Sequence, residues 1–253
     1  MSIFDKFFRI RELGIFSIII IVIITASFND SRFLTIDSWR AVFLAIPLIL
    51  IMAMGQMMVI ICRHVDISIG SILAFAAITI GFVFIHYPET SLLMALLITA
   101  SVGTVMGLVN GIIVTRFNVH SIIVTLGTLS LYRGLVFIVS GGRQIDRNDI
   151  PVHIISFSQT SFLFSIPAIL ILSVIIVLIT HLIMRHSVLG REIYATGSNP
   201  EAAHLKGINV TKVTLFCFGV CGMLAGVAGL FYASRFGYVN PGVTGCLLYT
   251  SPS

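Results

Sequence analysis

Thr125, Thr128 and Tyr132 recur at three- and four-residue spacing inside an apolar run, so a helix would set their hydroxyls on one face. Hydroxyls so arranged can pack against another helix or line a hydrated path. Arg133 follows directly and is a charge within the same run. It can snorkel to an interface, pair structurally, or line that path. Asp66 closes the polar break Arg63-His64-Val65-Asp66. It can cap the first turn of a helix starting near Ile67, or it and His64 can face water. Lipid is excluded for it, because a charge facing hydrocarbon is costly.

A second group reads as a docking surface. Arg185 to Lys212 is the longest polar interruption in the chain. Inside it Asn199 can N-cap a helix by accepting from a free amide. Pro200 fits the first helical position, and Glu201 sets negative charge on the positive helix end. Gly207 can take the left-handed conformation that ends a helix. The punctuation predicts a helix of about two turns, a rigid knob better suited to holding a partner than to catalysis.

Other chemistries find no residues. There is no G-x-x-x-x-G-K-[ST] phosphate loop, and the lysines are Lys6, Lys206 and Lys212. The seven histidines form no H-x-x-x-H or H-E-x-x-H pattern, so no metal site is expected. Cys217 and Cys221 are four apart rather than in a two-residue zinc or redox pair, and read as small packing residues. No nucleophile motif marks an enzyme.

These residues need elements to hold them, and composition says which. Of 253 residues, 57% are hydrophobic and 10% charged, against about 25% charged in a soluble domain. The chain is therefore expected to be an all-α, polytopic membrane bundle, since a spanning helix needs ~20 apolar residues. Seven spans are legible: Leu13 to Phe28 (short), Ala41 to Cys62, Ile67 to Ile85, Leu92 to Val114, Ser121 to Ser140, Phe162 to Met184 and Val213 to Ala233. Gly141 to Ser161 reads as a longer polar loop. Gly103, Gly107 and Gly111 are spaced by four, as are Gly222 and Gly226, with Gly219 and Gly229 nearby. Such faces let helices approach closely.

With a cytoplasmic N-terminus, the inner side holds Lys6, Arg9, Arg11, Arg63, Arg116, Arg185, Arg191, Lys206 and Lys212. The outer side holds Arg32, Arg40, Arg143, Arg147 and Arg235. The excess of basic residues inside supports that orientation and puts 185–212 in the cytoplasm. The net charge of +5 is explained by this placement and gives no reason to invoke nucleic acid.

Glu201-Ala202-Ala203 followed by Gly207-Ile208, within the string from Gly190-Arg191 to Ala203, resembles the coupling loop of ABC-importer permeases of the ribose-type sugar family. Asp66-Ile67-Ser68-Ile69-Gly70-Ser71, Thr125 to Gly134, Ser140-Gly141-Gly142 and Asn240 to Gly245 resemble the same family, nearest to its autoinducer-2 and rhamnose permeases. The resemblance implies a permease subunit in a bacterial inner membrane that moves a small polyhydroxylated compound, such as autoinducer-2, rhamnose or ribose, by alternating access. It implies a separate ATP-binding subunit that carries ATP and Mg, a second permease, and a periplasmic substrate-binding protein. Docking then falls to Arg191, Asn199, Pro200, Glu201, Ala202, Ala203 and Gly207. The path falls to Asp66, Thr125, Thr128, Tyr132 and Arg133. The alternative is an ion-coupled transporter or channel, which would call for coupled ionisable groups in mid-membrane. Residues 1–245 read as a permease domain that lacks its last spans. Cys246 to Ser253 departs from the family pattern and reads as a foreign tail.

Overall fold

The computed structural model describes residues 11–29, 34–162 and 166–242. Lys6, Arg9, Arg32, residues 243–245 and the tail 246–253 lie outside the described residues. Among these residues ten α-helices follow in order. They are α1 (Arg11–Asn29), α2 (Ile36–Ile61), α3 (Ile69–His86), α4 (Leu92–Phe117), α5 (Ser121–Ser140), α6 (Val152–Gln159), α7 (Ala168–His186), α8 (Val188–Ser198), α9 (Pro200–Leu205) and α10 (Val210–Phe236). A two-stranded ribbon, β1 (Ser161–Phe162) with β2 (Ile166–Pro167), adds a minor antiparallel pair.

Among the described residues six helices are long and apolar enough to cross a membrane: Ala41–Ile61 of α2, then α3, α4, α5, α7 and α10. The apolar part of α1, Phe16–Phe28, is shorter. The expected all-α membrane architecture is thus what the described residues build, as six candidate spans and a shorter apolar helix where the short first span was expected. Residues 1–43 and 44–253 form separate compact units. Within the first, Thr25 and Ser27 of α1 donate their hydroxyls to carbonyls one turn back, at Ile21 (2.9 Å) and Ile23 (2.6 Å). Those bonds satisfy polar groups that hydrocarbon could not.

In the second unit α10 is the central helix, buried along most of its length from Val213 to Ser234. It packs chiefly on α4 and then on α3. A Cβ on Gly103 would overlap the Gly222 carbonyl, and one on Gly107 the Phe218 carbonyl. One on Gly226 would overlap the Thr99 carbonyl. The two glycine faces read from the sequence therefore meet each other, backbone against backbone.

Two expectations are corrected. The stretch 141–161 is more than a polar loop: it holds a 3-10 turn (Arg147–Asp149) and α6. Ile150, Ile154 and Ile155 drop into the core there, and the Ser234 hydroxyl of α10 donates to the Ile154 carbonyl (2.5 Å). These buried apolar residues pin the segment to the bundle end. The sixth span begins at Ala168 rather than Phe162, because Phe162 lies in the β1–β2 ribbon.

Candidate functional site

The segment 185–212 folds as two helices, α8 and α9, where one had been expected. α8 starts at Ser187, whose hydroxyl accepts from the Gly190 amide (3.0 Å). Its Ile193 is fully buried among Met58, Val59, Cys62 and Cys217. Gly190 has no room for a Cβ against the Met184 carbonyl, nor Gly197 against the Ile61 carbonyl. α8 is therefore bound tightly to the end of the bundle. The signal was present in V-L-G-R-E-I-Y, where apolar residues recur at helical spacing among polar ones.

α9 is shorter than two turns but ends as its punctuation predicts. The Asn199 side chain accepts from the Ala202 amide (3.0 Å), and Pro200 takes the first position. At the other end Gly207 sits at φ +83°. Its amide bonds the His204 carbonyl (2.9 Å), while the Ile208 amide bonds the Ala203 carbonyl (3.1 Å). This pair of bonds is a Schellman motif. Ala203 is buried, whereas Glu201, Ala202 and Leu205 face out, Leu205 at 87% exposure. Arg191 is exposed and donates to the His186 carbonyl (3.4 Å), bracing α8 against the end of α7.

The link between α2 and α3 lies at the same end. α2 also closes with a Schellman motif: the Arg63 amide bonds the Ile60 carbonyl (2.9 Å) and the His64 amide the Val59 carbonyl (3.0 Å). The left-handed position, usually glycine, is held by Arg63 at φ +64°. Its side chain crosses to α8, donating Nε to the Gly197 carbonyl (2.6 Å) and Nη2 to the Ser198 carbonyl (2.6 Å). A cation at a helix C-terminus also complements the helix dipole.

Beyond Arg63 the link enters the bundle. α3 has 18 residues against 26 in α4, about 27 Å against about 39 Å. The irregular backbone before α3 therefore lies beside α4 and α5, and its buried polar groups need partners within the protein. They find them here. The Val65 amide donates to the Ser121 hydroxyl (3.1 Å), and the Thr125 hydroxyl donates to the Val65 carbonyl (3.3 Å). With its amide turned to face matching partners, Gln56 bonds both the amide (3.2 Å) and the carbonyl (3.3 Å) of Asp66.

Asp66 is 1% exposed. Its Oδ1 accepts from the Ser68 amide (2.9 Å) and hydroxyl (2.7 Å), so it holds the N-cap residue just before the helix rather than capping the first turn. Asn110 of α4 donates to Ser68 Oγ (2.8 Å) and Asp66 Oδ2 (3.4 Å). Tyr132 of α5 donates to the Asn110 side-chain oxygen (3.2 Å) and the Met106 carbonyl (2.9 Å). Burial pushes the Asp66 carboxyl above its ordinary value, against the bonds from Ser68 and Asn110 that pull it down. Half-buried His64 is pushed down by desolvation and then by His120.

Thr125, Thr128 and Tyr132 share the buried face of α5, as their spacing predicted. The structure brings Asp66, Thr125 and Tyr132 into one network and buries Thr128 beside it. Arg133 is exposed, about 100° round α5 from Tyr132. Sequence reasoning missed Asn110, Gln56, Ser68 and Ser121. An asparagine in the middle of an apolar helix was the available signal for Asn110. Cys217 packs beside Cys221 in the core as expected, but also meets Cys62, sulfur to sulfur at 3.4 Å. Among the described residues no group of three or more His, Cys, Asp or Glu could hold a metal ion.

A family model described as "Branched-chain amino acid transport system / permease component" matches residues 39–251. The chain is 33% identical over 216 residues to the autoinducer 2 import system permease protein LsrC of Yersinia pseudotuberculosis (serotype O:3, strain YPIII), covering 85% of this chain and 60% of that protein. It matches the proteins of the same name from Yersinia enterocolitica (33%, 85% and 58%) and Yersinia pestis strain Pestoides F (33%, 85% and 60%). The chain spans about 60% of the length of these curated relatives. No solved structure gives a significant match.

Proposed function

This chain belongs to the family of branched-chain amino acid transport system permease components, and from that premise we propose that it is the membrane-spanning permease subunit of an ATP-binding-cassette importer. It sits in a bacterial inner membrane with its N-terminus in the cytoplasm. It pairs with a second permease, receives substrate from a periplasmic binding protein, and couples to an ATPase that holds ATP and Mg. The likeness to autoinducer-2 permeases supports a small polyhydroxylated substrate, autoinducer-2 or a monosaccharide such as rhamnose or ribose. The observation that carries the reading is α9: a helix stopped firmly at both ends, seated on the bundle through Ala203, with Glu201 and Leu205 facing out.

The chain makes no covalent bond in this mechanism. ATP closes the ATPase dimer, α9 moves with its docking groove, and the bundle reorients. Arg191, Asn199, Pro200, Glu201, Ala202, Ala203 and Gly207 form or brace the docking knob. Asp66, Thr125, Thr128 and Tyr132 meet substrate only when the link and α5 part. Arg133 is exposed beside that face of α5, where it reaches the interface or the second permease.

Co-purification of the full-length permease with its ATPase tests the docking. Glu201→Lys reverses the charge on the first turn of α9. Gly207→Pro forces φ from +83° to about −65° and removes an amide donor. Both abolish association while the spans still insert; undiminished recovery of the ATPase would refute the assignment. Leu205 is the apolar anchor of the knob. Interface anchors cost about 2 kcal/mol or more when removed, so Leu205→Asp weakens ATPase binding by at least about thirtyfold in a titration, since each 1.4 kcal/mol is tenfold.

A further inference from the structure

We propose that Arg63 is the clamp through which displacement of α9 reaches helices α4 and α5; the proposal rests on the importer reading above. Three observations converge on this residue. First, its backbone occupies a left-handed site at φ +64°, where any side chain is strained and glycine is the ordinary choice. A solvent-facing arginine kept there must gain something from its side chain. Second, the guanidinium makes two 2.6 Å bonds, to the carbonyls of Gly197 and Ser198. Those are the last two residues of α8, and the next residue, Asn199, is the N-cap of α9. A shift of α9 along its docking groove therefore pulls directly on the two carbonyls that Arg63 holds. Third, the chain leaving Arg63 is gripped from the other side. Val65 is bonded on its amide by Ser121 and on its carbonyl by Thr125, both of α5. Asp66 is tied to Asn110 of α4, which Tyr132 of α5 holds in turn.

Arg63 thus stands between the docking knob and a stretch of irregular backbone that is bonded into the bundle at this end. The contact at Gly197, where a Cβ would strike the Ile61 carbonyl, sets the two segments close together. Burial of Ile193 against Met58, Val59 and Cys62 holds the middle of α8 on the end of α2. The guanidinium fork adds two directed bonds at the junction of α8 with α9, so motion of α9 is passed to the link at that point. Arg63 is a positioning residue: it touches neither substrate nor nucleotide.

The experiment uses the full-length permease with its ATPase and binding protein in proteoliposomes. Arg63→Gly relaxes the left-handed backbone and deletes the fork. Arg63→Lys keeps a charge that meets one carbonyl. The unfolding midpoint, ATPase co-purification, and substrate taken up per ATP hydrolysed are read for each. Arg63→Gly is expected to fold at least as stably as the parent and to hold the ATPase equally well. Its uptake per ATP falls at least about fivefold, the lower end of typical coupling between sites, and Arg63→Lys falls between the two. Uptake per ATP equal to the parent in Arg63→Gly would overturn the clamp. So would a loss of folding or of ATPase binding in that variant, which would make Arg63 a structural or docking residue. If the unaltered permease holds no ATPase, the importer reading itself fails and the clamp falls with it.

Discussion

Gly222→Ala destabilises this protein by about 2 kcal/mol or more, while Gly134→Ala leaves it unchanged or stabilises it. Both glycines lie within helices, so alanine gains about 1 kcal/mol of helix propensity at either site. What differs is the space. A Cβ at Gly134 meets nothing within 4 Å, whereas one at Gly222 strikes the Gly103 carbonyl and comes within 2.8 Å of Gly107 Cα. Overpacking a side chain costs about 1–3 kcal/mol because neighbours can change rotamer. Backbone cannot, so the cost at Gly222 lies at or above the top of that range and exceeds the propensity gain. α4 and α10 would have to separate, and α10 is the helix on which the core is built. Gly222→Leu is expected to prevent folding altogether. Unfolding midpoints in detergent micelles check the pair, and equal shifts for the two alanine variants would show that α4 and α10 do not touch as described.

These glycines mark where the sequence could be read well. A run of glycines spaced by four reports a face on which backbone can approach, and that is a local property of one helix. Helix punctuation is local too, so Asn199, Pro200 and Gly207 gave both ends of α9. The helix α8 was harder, because Arg191 and Glu192 interrupt the helically spaced apolar residues, and burial of Ile193 is what makes that spacing an amphipathic helix. The segment around Ile154 hid in the same way. The network around Asp66 was the least legible part. Its partners lie 42–56 residues away where Asn110 meets Ser68 and Ser121 meets Val65, and no spacing rule connects them. Arg63 looked like one more basic residue counted toward orientation. Its left-handed backbone and its grip on α8 are properties of the fold.

Asp66→Ala is expected to lower stability by about 2 kcal/mol or more, and Asp66→Asn by about 1 kcal/mol. The alanine variant leaves the Ser68 amide and hydroxyl without their acceptor and removes one acceptor from Asn110. Orphaned buried donors cost about 1–3 kcal/mol each, and relief from burying a carboxyl returns only part of that. Asparagine keeps an oxygen for Ser68 but turns its amide toward the Asn110 amide, losing one weak 3.4 Å bond. The charge contributes with the opposite sign. Burial raises the Asp66 pKa in the folded protein, so folding favours the protonated acid. That contribution is fully present below the unfolded value of about 3.9 and is lost as pH rises through the raised folded value. The parent should therefore lose stability as pH rises from about 4, and Asp66→Asn should lack that share of the slope. Unfolding midpoints of parent, Asp66→Asn and Asp66→Ala across that pH range separate the two effects. Hydrogen bonding predicts that alanine costs more than asparagine at every pH. An Asp66→Asn variant as damaged as Asp66→Ala, with an unchanged slope, would mean that the carboxylate charge is itself required and that Asp66 is paired with a cation rather than with Ser68 and Asn110.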